Sequence, residues 1–166
     1  MQCEQATQNS IEFHSLSKTF NMTGYRIGFA VGNKSLIDGL KKIKNQIDSG
    51  SPKFIQHAAT VALDSYSNGV PPKEILDNLN IYENRMSLLY NGLSKLGYEV
   101  KMPSGTFYLW MKVNENCEIF AMKLLDKGIV VTPGLGFGNA GENYVRFSLT
   151  VSESDISKAL EKIPPC

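Results

Sequence analysis

Residues 14–29 read HSLSKTFNMTGYRIGF, and the fold turns on how the lysine in this stretch is read. Lys18 follows Ser15 and Ser17 and has no charged residue after it until Arg26. On either side lie two β-rich apolar segments, IEFHSL at 11–16 and YRIGFAVG at 25–32, the second ending on Gly32. Between them the polar run SKTFNMTG carries turn residues, so the pattern predicts two short strands bracketing the lysine.

Downstream of this pair, Asn33 is placed to cap a helix with Leu36, Ile37, Leu40, Ile43 and Ile47 on one face. The run DSGSP stops it before a second helix carrying Ile55, Ala58, Ala59, Ala62 and Tyr66. After SNGVPP a long helix is predicted from about Lys73 to Leu96, with Ile75, Leu79, Tyr82, Met86, Leu89, Leu93 and Leu96 in steps of four and three. That stripe also fits a coiled-coil seam, but in a chain of mixed elements it reads as a core strut. From Tyr98 the pattern turns to strand, YEVKMPSGTFYLWMKV, bent at Pro103, Ser104 and Gly105. A short helix from about Glu118 to Asp126 ends at Gly128. IVVTPG and YVRFSLTV read as strands, and SESDISKALEKI as a helix capped by Ser152 or Ser154 with Ile156, Leu160 and Ile163 inward. The order implies an α/β class, or α+β for the second part: a mixed sheet packed with helices, with a boundary near SNGVPP.

Composition limits what such a chain does. With 166 residues, 42% apolar and a formal charge of +1, it is long enough for a globular core. The lysines and arginines are scattered among acids, so no basic stripe points to nucleic acid or an anionic membrane. Cys3, Cys117 and Cys166 are odd in number and lack zinc-ligand spacing. A reducing, cytoplasmic setting fits them. No metal site is expected, because His14 and His57 have no acid, cysteine or second histidine at ligand spacing. No apolar run approaches the ~20 residues of a membrane span.

The lysine now has a chemical reading. An ε-amine forms a Schiff base with a carbonyl, while Ser15, Ser17 and Arg26 offer two hydroxyls and a guanidinium fork suited to a phosphate monoester. An aldehyde bearing a phosphate is pyridoxal 5′-phosphate. A surface turn with an incidental lysine would explain S-x-S-K alone, but not the whole string. SLSKTFNMTGYRIGFAVG resembles the Schiff-base lysine motif of the class I/II aminotransferases, the fold type I enzymes that depend on pyridoxal phosphate. Ser15, Ser17, Lys18, Phe20, Gly24, Arg26 and Gly28 match that motif in order. PSGTFYLWMKV resembles the family's P-x-G-x-F segment, and TPGLGFGNAGENYVRFSLTV the stretch ending in its carboxylate-binding arginine. Within the family the chain most resembles LL-diaminopimelate aminotransferases and their relatives.

The resemblance implies roles. Lys18 would carry the cofactor and move the proton between the substrate α-carbon and the cofactor. Ser15, Ser17 and Arg26 would contact the cofactor phosphate. Arg146 would hold the α-carboxylate of the amino-acid and 2-oxo-acid substrates; by itself it also reads as an outward strand residue in a surface ion pair. Asp48 and Ser49 in DSGSP would lie near the site. GLGFGNAGE, although rich in glycine, opens no helix and reads as a flexible loop, and Tyr25 and Trp110 read as packing residues.

The resemblance further implies that residues 1–70 are the end of an incomplete large cofactor-binding domain and 71–166 the small domain, beginning with the long helix. The glycine-rich phosphate turn, the stacking aromatic, the asparagine and tyrosine on the ring oxygen and the aspartate on the pyridinium nitrogen all belong to an upstream part in the family. The chain is therefore expected to be the C-terminal portion of an aminotransferase, inactive alone and homodimeric in its full-length form. A pyridoxal-dependent lyase of the same fold and a non-catalytic aminotransferase-like module for binding or dimerisation are the alternatives; the presence of Lys18, Arg26 and Arg146 favours the enzyme.

Overall fold

The computed structural model describes residues 2–166. They form two compact units, one ending at Leu76 and the other spanning Asp77–Cys166. In the first, a short helix α1 (Ala6–Asn9) precedes β1 (Ile11–Ser15), which pairs antiparallel with β2 (Gly28–Gly32) from Ile11↔Gly32 to Ser15↔Gly28. At the Ser15↔Gly28 end the strands approach so closely that a Cβ on residue 28 would run into the His14 carbonyl. Glycine is required there by space.

The connection between these strands is more structured than its composition predicts. It holds a helical turn α2 (Leu16–Thr19) and a 3-10 turn, Thr23–Tyr25. β1 ends at Ser15, one residue short of the expected strand, because Ser15 caps α2: its Oγ accepts the Ser17 N–H at 3.2 Å. β2 starts at Gly28 and not at Tyr25, since the 3-10 turn and a left-handed Arg26 take up the intervening backbone.

α3 (Lys34–Ile47) begins as predicted, Asn33 Oδ1 accepting from the N–H groups of Ser35 at 2.8 Å and Leu36 at 3.1 Å. α4 (Lys53–Asp64) follows. Their apolar stripes are formed but not covered. No residue of α3 is buried, Ile47 is 72% exposed, and so is Phe54 on α4. The core of this unit is Leu16, Met22 and Ala59, with Phe20, Ile27, Ala58 and Ala62 against it.

The second unit is better filled. α5 (Lys73–Lys95) is one continuous helix whose Met86, Leu89 and Leu93 are buried. β3 (Tyr108–Lys112), α6 (Cys117–Leu125), β4 (Thr132–Pro133), β5 (Tyr144–Ser148) and α7 (Glu153–Lys162) follow. The sheet order is β3-β5-β4, antiparallel throughout. Leu109, Met111, Val145 and Phe147 point into a core shared with Phe120 and Leu124 of α6 and Ile156 of α7. Among the described residues, seventeen hydrophobic residues are buried here against three in the first unit. At about 2 kcal/mol for a fully buried Leu or Met side chain, stability resides in this half.

Two further strand expectations change. The strand predicted over 98–113 is reduced to Tyr108–Lys112 plus a bridge between Val100 and Met111, because Pro103 has no N–H and Thr106 adopts φ 74°. The strand predicted over 129–134 is only Thr132–Pro133. Ile129 instead donates its N–H to Leu124 O behind a left-handed Gly128, closing α6, and Ile129 and Val131 drop into the core. Of the two caps expected for α7, Ser152 is the one used, accepting from the Asp155 N–H at 3.2 Å. Among the described residues no helix is long and apolar enough to cross a membrane.

Candidate active site

Lys18 sits on α2 between two features that fix its surroundings. Beneath it, Leu16 is 1% exposed and anchors the turn. Beside it, side chain and backbone are stitched together: the Thr23 hydroxyl donates to Ser17 O at 2.9 Å, and Arg26 Nη1 donates to Thr23 O at 3.1 Å. With Ser15 Oγ on the Ser17 N–H, this ties Ser15, Ser17 and Arg26 into one segment around the lysine. Ser15, Lys18 and Arg26 are exposed and Ser17 half-buried. Arg26 has φ 51° and ψ 49°, a left-handed conformation that costs a non-glycine residue about 1–2 kcal/mol. Such strain persists where the surroundings impose it, and it concentrates at functional positions. The segment thus presents a primary amine, two hydroxyls and a guanidinium within twelve residues, a donor set that fits a phosphate monoester carrying a carbonyl.

Arg146 lies in the second unit, on the central strand β5, paired with Trp110 of β3 and Thr132 of β4. The surface ion pair that a lone strand arginine suggests is not what holds it. Its guanidinium carbon lies 4.1 Å from the centroid of the Tyr108 ring and 4.4 Å from that of Phe137. Its Nε is buried without a hydrogen-bond partner. A buried N–H lacking an acceptor costs about 1–3 kcal/mol, so the sheet leaves donor capacity on Arg146 that its own acceptors do not use. That is the property an anion-binding arginine needs.

The loop before β5 is not the flexible coil its glycines suggest. It folds into two 3-10 turns, Gly134–Phe137 and Asn139–Gly141. A Cβ on Gly134 would meet Gly141 O, and one on Gly141 would meet Gly134 O, so the two ends of the loop touch backbone to backbone. Thr23, Tyr108 and Phe137 escape sequence reasoning. The signal for Tyr108 was available, since it alternates in register with Trp110 on β3. Phe137 is marked only by its place between glycines ahead of the arginine strand.

The remaining candidates are engaged locally. Asp48 ends α3, where it accepts from Lys44 Nζ and the Gly50 N–H; the Lys44 bond, then the Gly50 N–H, hold its carboxyl below the usual range. Ser49 is exposed. His14 bonds Glu12 at 3.1 Å and stacks on Phe29 at 4.9 Å, and His57 is exposed. Tyr25 and Trp110 are both exposed, Trp110 meeting Phe137 edge-on. Among the described residues no cluster of three His, Cys, Asp or Glu could hold a metal.

The model of the family Aminotransferase class I and II matches residues 4–163. The chain belongs to that family. Among sequence relatives of this aminotransferase chain, an LL-diaminopimelate aminotransferase of Dehalococcoides mccartyi is 46% identical over 167 residues, covering 98% of the chain and 42% of the relative. One from Aquifex aeolicus is 45% identical, again over 98% of the chain and 42% of the relative. Among solved structures, a Methanococcus jannaschii protein described as similar in its active site to kynurenine aminotransferases superposes with a TM-score of 0.86 at 31% identity, over 96% of this chain and 42% of that one. An aromatic aminotransferase from Pyrococcus horikoshii gives 0.88 at 28% identity, over 97% and 43%. The chain thus spans about two fifths of the length of its curated relatives.

Proposed function

We propose that the chain is the C-terminal portion of a pyridoxal 5′-phosphate-dependent aminotransferase that moves an amino group between an amino acid and a 2-oxo acid. The observation that carries this reading is the segment from Ser15 to Arg26, which joins an amine to phosphate donors inside a sequence matching the family model. When bound, the cofactor supplies an electron sink that renders the substrate α-proton acidic. Lys18 Nζ would be the amine that holds the cofactor at its carbonyl carbon, with loss of water, and the group that moves the proton at the substrate α-carbon. Ser15, Ser17 and Arg26 hold the phosphate. Arg146 holds the α-carboxylate of the substrate through the in-plane donors of its guanidinium.

In this reading the first unit is the end of a large cofactor-binding domain and the second is the small domain. The partner of the pyridinium nitrogen and the ring-stacking aromatic lie in the remainder of the polypeptide, and the complete protein works as a homodimer in the cytoplasm. The names of its 45–46% identical relatives make LL-diaminopimelate the first amino-acid substrate to try. The test is to treat the full-length protein with borohydride and map the pyridoxyl label. Label on Lys18, together with turnover of an amino acid with a 2-oxo acid, supports the reading. Label on another lysine overturns the assignment of Lys18, and a protein that neither labels nor turns over is a non-catalytic module of the same fold.

A further inference from the structure

The alternation of side chains along β3 and β5 leaves Tyr108, Trp110, Tyr144 and Arg146 on the sheet face opposite the buried Leu109, Met111, Val145 and Phe147. Phe137 joins this face from the loop. Its ring lies 4.4 Å from the Arg146 guanidinium carbon and meets Trp110 edge-on, centroids 5.1 Å apart at 72°. Trp110 in turn meets Tyr144 at 6.4 Å. Arg146 is therefore set among rings, over both Tyr108 and Phe137.

This arrangement has a directional consequence. The five N–H bonds of a guanidinium lie in its plane, and rings 4.1 and 4.4 Å from its central carbon limit how that plane can turn. A ligand meets its edge, where parallel N–H bonds donate side by side to two oxygens of one anion. Phe137 is itself 53% exposed, so it contributes little to the core; its position is set by the loop. Gly134 and Gly141 touch backbone to backbone, the Gly141 N–H bonds Gly138 O at 2.9 Å and the Gly138 N–H bonds Leu135 O at 3.1 Å, with Gly138 at φ 122°. An aromatic side chain more than half exposed, on a loop closed this tightly and aimed at a cation, serves that cation.

We propose that Phe137 is a positioning residue for Arg146: carried on the closed 134–141 loop, it holds the guanidinium so that its fork meets the substrate carboxylate with two N–H bonds at once. The proposal rests on the reading that Arg146 receives the substrate α-carboxylate, and its test keeps the two apart. The full-length, cofactor-loaded enzyme is compared as wild type, Phe137→Leu, Phe137→Tyr, Gly141→Ala and Arg146→Lys. KM and kcat are measured for several amino acids. Calorimetry gives the dissociation constants of an unreactive carboxylate inhibitor and its carboxamide analogue.

Phe137→Leu raises KM roughly tenfold for every amino acid, with a smaller change in kcat, and narrows the preference for carboxylate over carboxamide. Phe137→Tyr restores both, and Gly141→Ala, which forces the loop apart, repeats the loss. If Arg146→Lys raises KM while Phe137→Leu leaves KM and the carboxylate preference unaltered, Phe137 does not position Arg146. A Phe137→Leu enzyme that loses kcat and thermal stability together, its carboxylate preference intact, overturns the proposal equally. If Arg146→Lys itself leaves KM and inhibitor affinity unchanged, the underlying carboxylate reading is what fails, and this proposal falls with it.

Discussion

Replacing Arg26 separates what its backbone costs from what its side chain does. At φ 51° the residue carries about 1–2 kcal/mol of left-handed strain. Arg26→Gly removes that strain but adds about 0.5–1 kcal/mol of unfolded-state entropy, and it deletes the exposed bond from Nη1 to Thr23 O, worth about 0.5 kcal/mol. The three contributions nearly cancel, so the stability of the cofactor-free protein stays within about 0.5 kcal/mol of wild type. Arg26→Leu keeps the strain and loses the bond, and so falls about 0.5–1 kcal/mol below the glycine variant. Cofactor affinity behaves differently. Both variants lose charge-assisted bonds to a phosphate, about 2 kcal/mol for a guanidinium as exposed as this one, or about 30-fold in Kd. Urea unfolding of the cofactor-free full-length protein and spectroscopic titration with pyridoxal phosphate measure the two quantities independently. If Arg26→Gly destabilises by more than 1 kcal/mol while cofactor affinity is unchanged, Arg26 is a structural residue of the turn, and its phosphate role is refuted.

Two further outcomes follow from the second unit. The Tyr98 hydroxyl donates to Pro164 O at 2.9 Å, and burial, then the negative charges of Cys166 and Glu115, push its pKa up. A raised folded value means that this residue's contribution is complete below the unfolded pKa of about 10 and is lost as pH rises through the folded one. Tyr98→Phe should therefore cost about 1 kcal/mol at neutral pH, and the gap to wild type should close above about pH 10, as read by urea unfolding; a gap independent of pH contradicts it. In the 166-residue chain by itself, hydrogen exchange should find slow amides in β3, β5 and α5 and fast ones in α3 and α4, with self-association through residues 11–66, because three buried residues hold the first unit against seventeen in the second. Equal protection in both, in a monomer, would contradict this account of where stability lies.

Where local chemistry sufficed, the sequence was readable. Asn33 capping α3, the unbroken α5, the inward Ile156 of α7 and Ile163 just after it, and the presence of two short strands on either side of Lys18 all followed from caps and local pattern, which act over a few residues. So did the family, because Ser15, Ser17, Lys18, Arg26 and Arg146 stand at motif spacing. Strand lengths did not follow. Whether 98–107 joins the sheet depends on how far it pairs with β3, where it makes a bridge between Val100 and Met111, while Thr106 at φ 74° breaks the extended run and Ile129 and Val131 descend into the core. The environment of Arg146 was likewise beyond the sequence. Tyr108 and Phe137 lie 38 and 9 positions from it, on a strand and a loop whose meeting depends on the β3–β5 register and on the Gly134–Gly141 approach. The sequence alone determined which residues are chemically equipped to act. Only the tertiary structure decided that one of them is set among aromatic rings with an unpartnered donor, because contacts distant in the chain are fixed by packing and not by pattern.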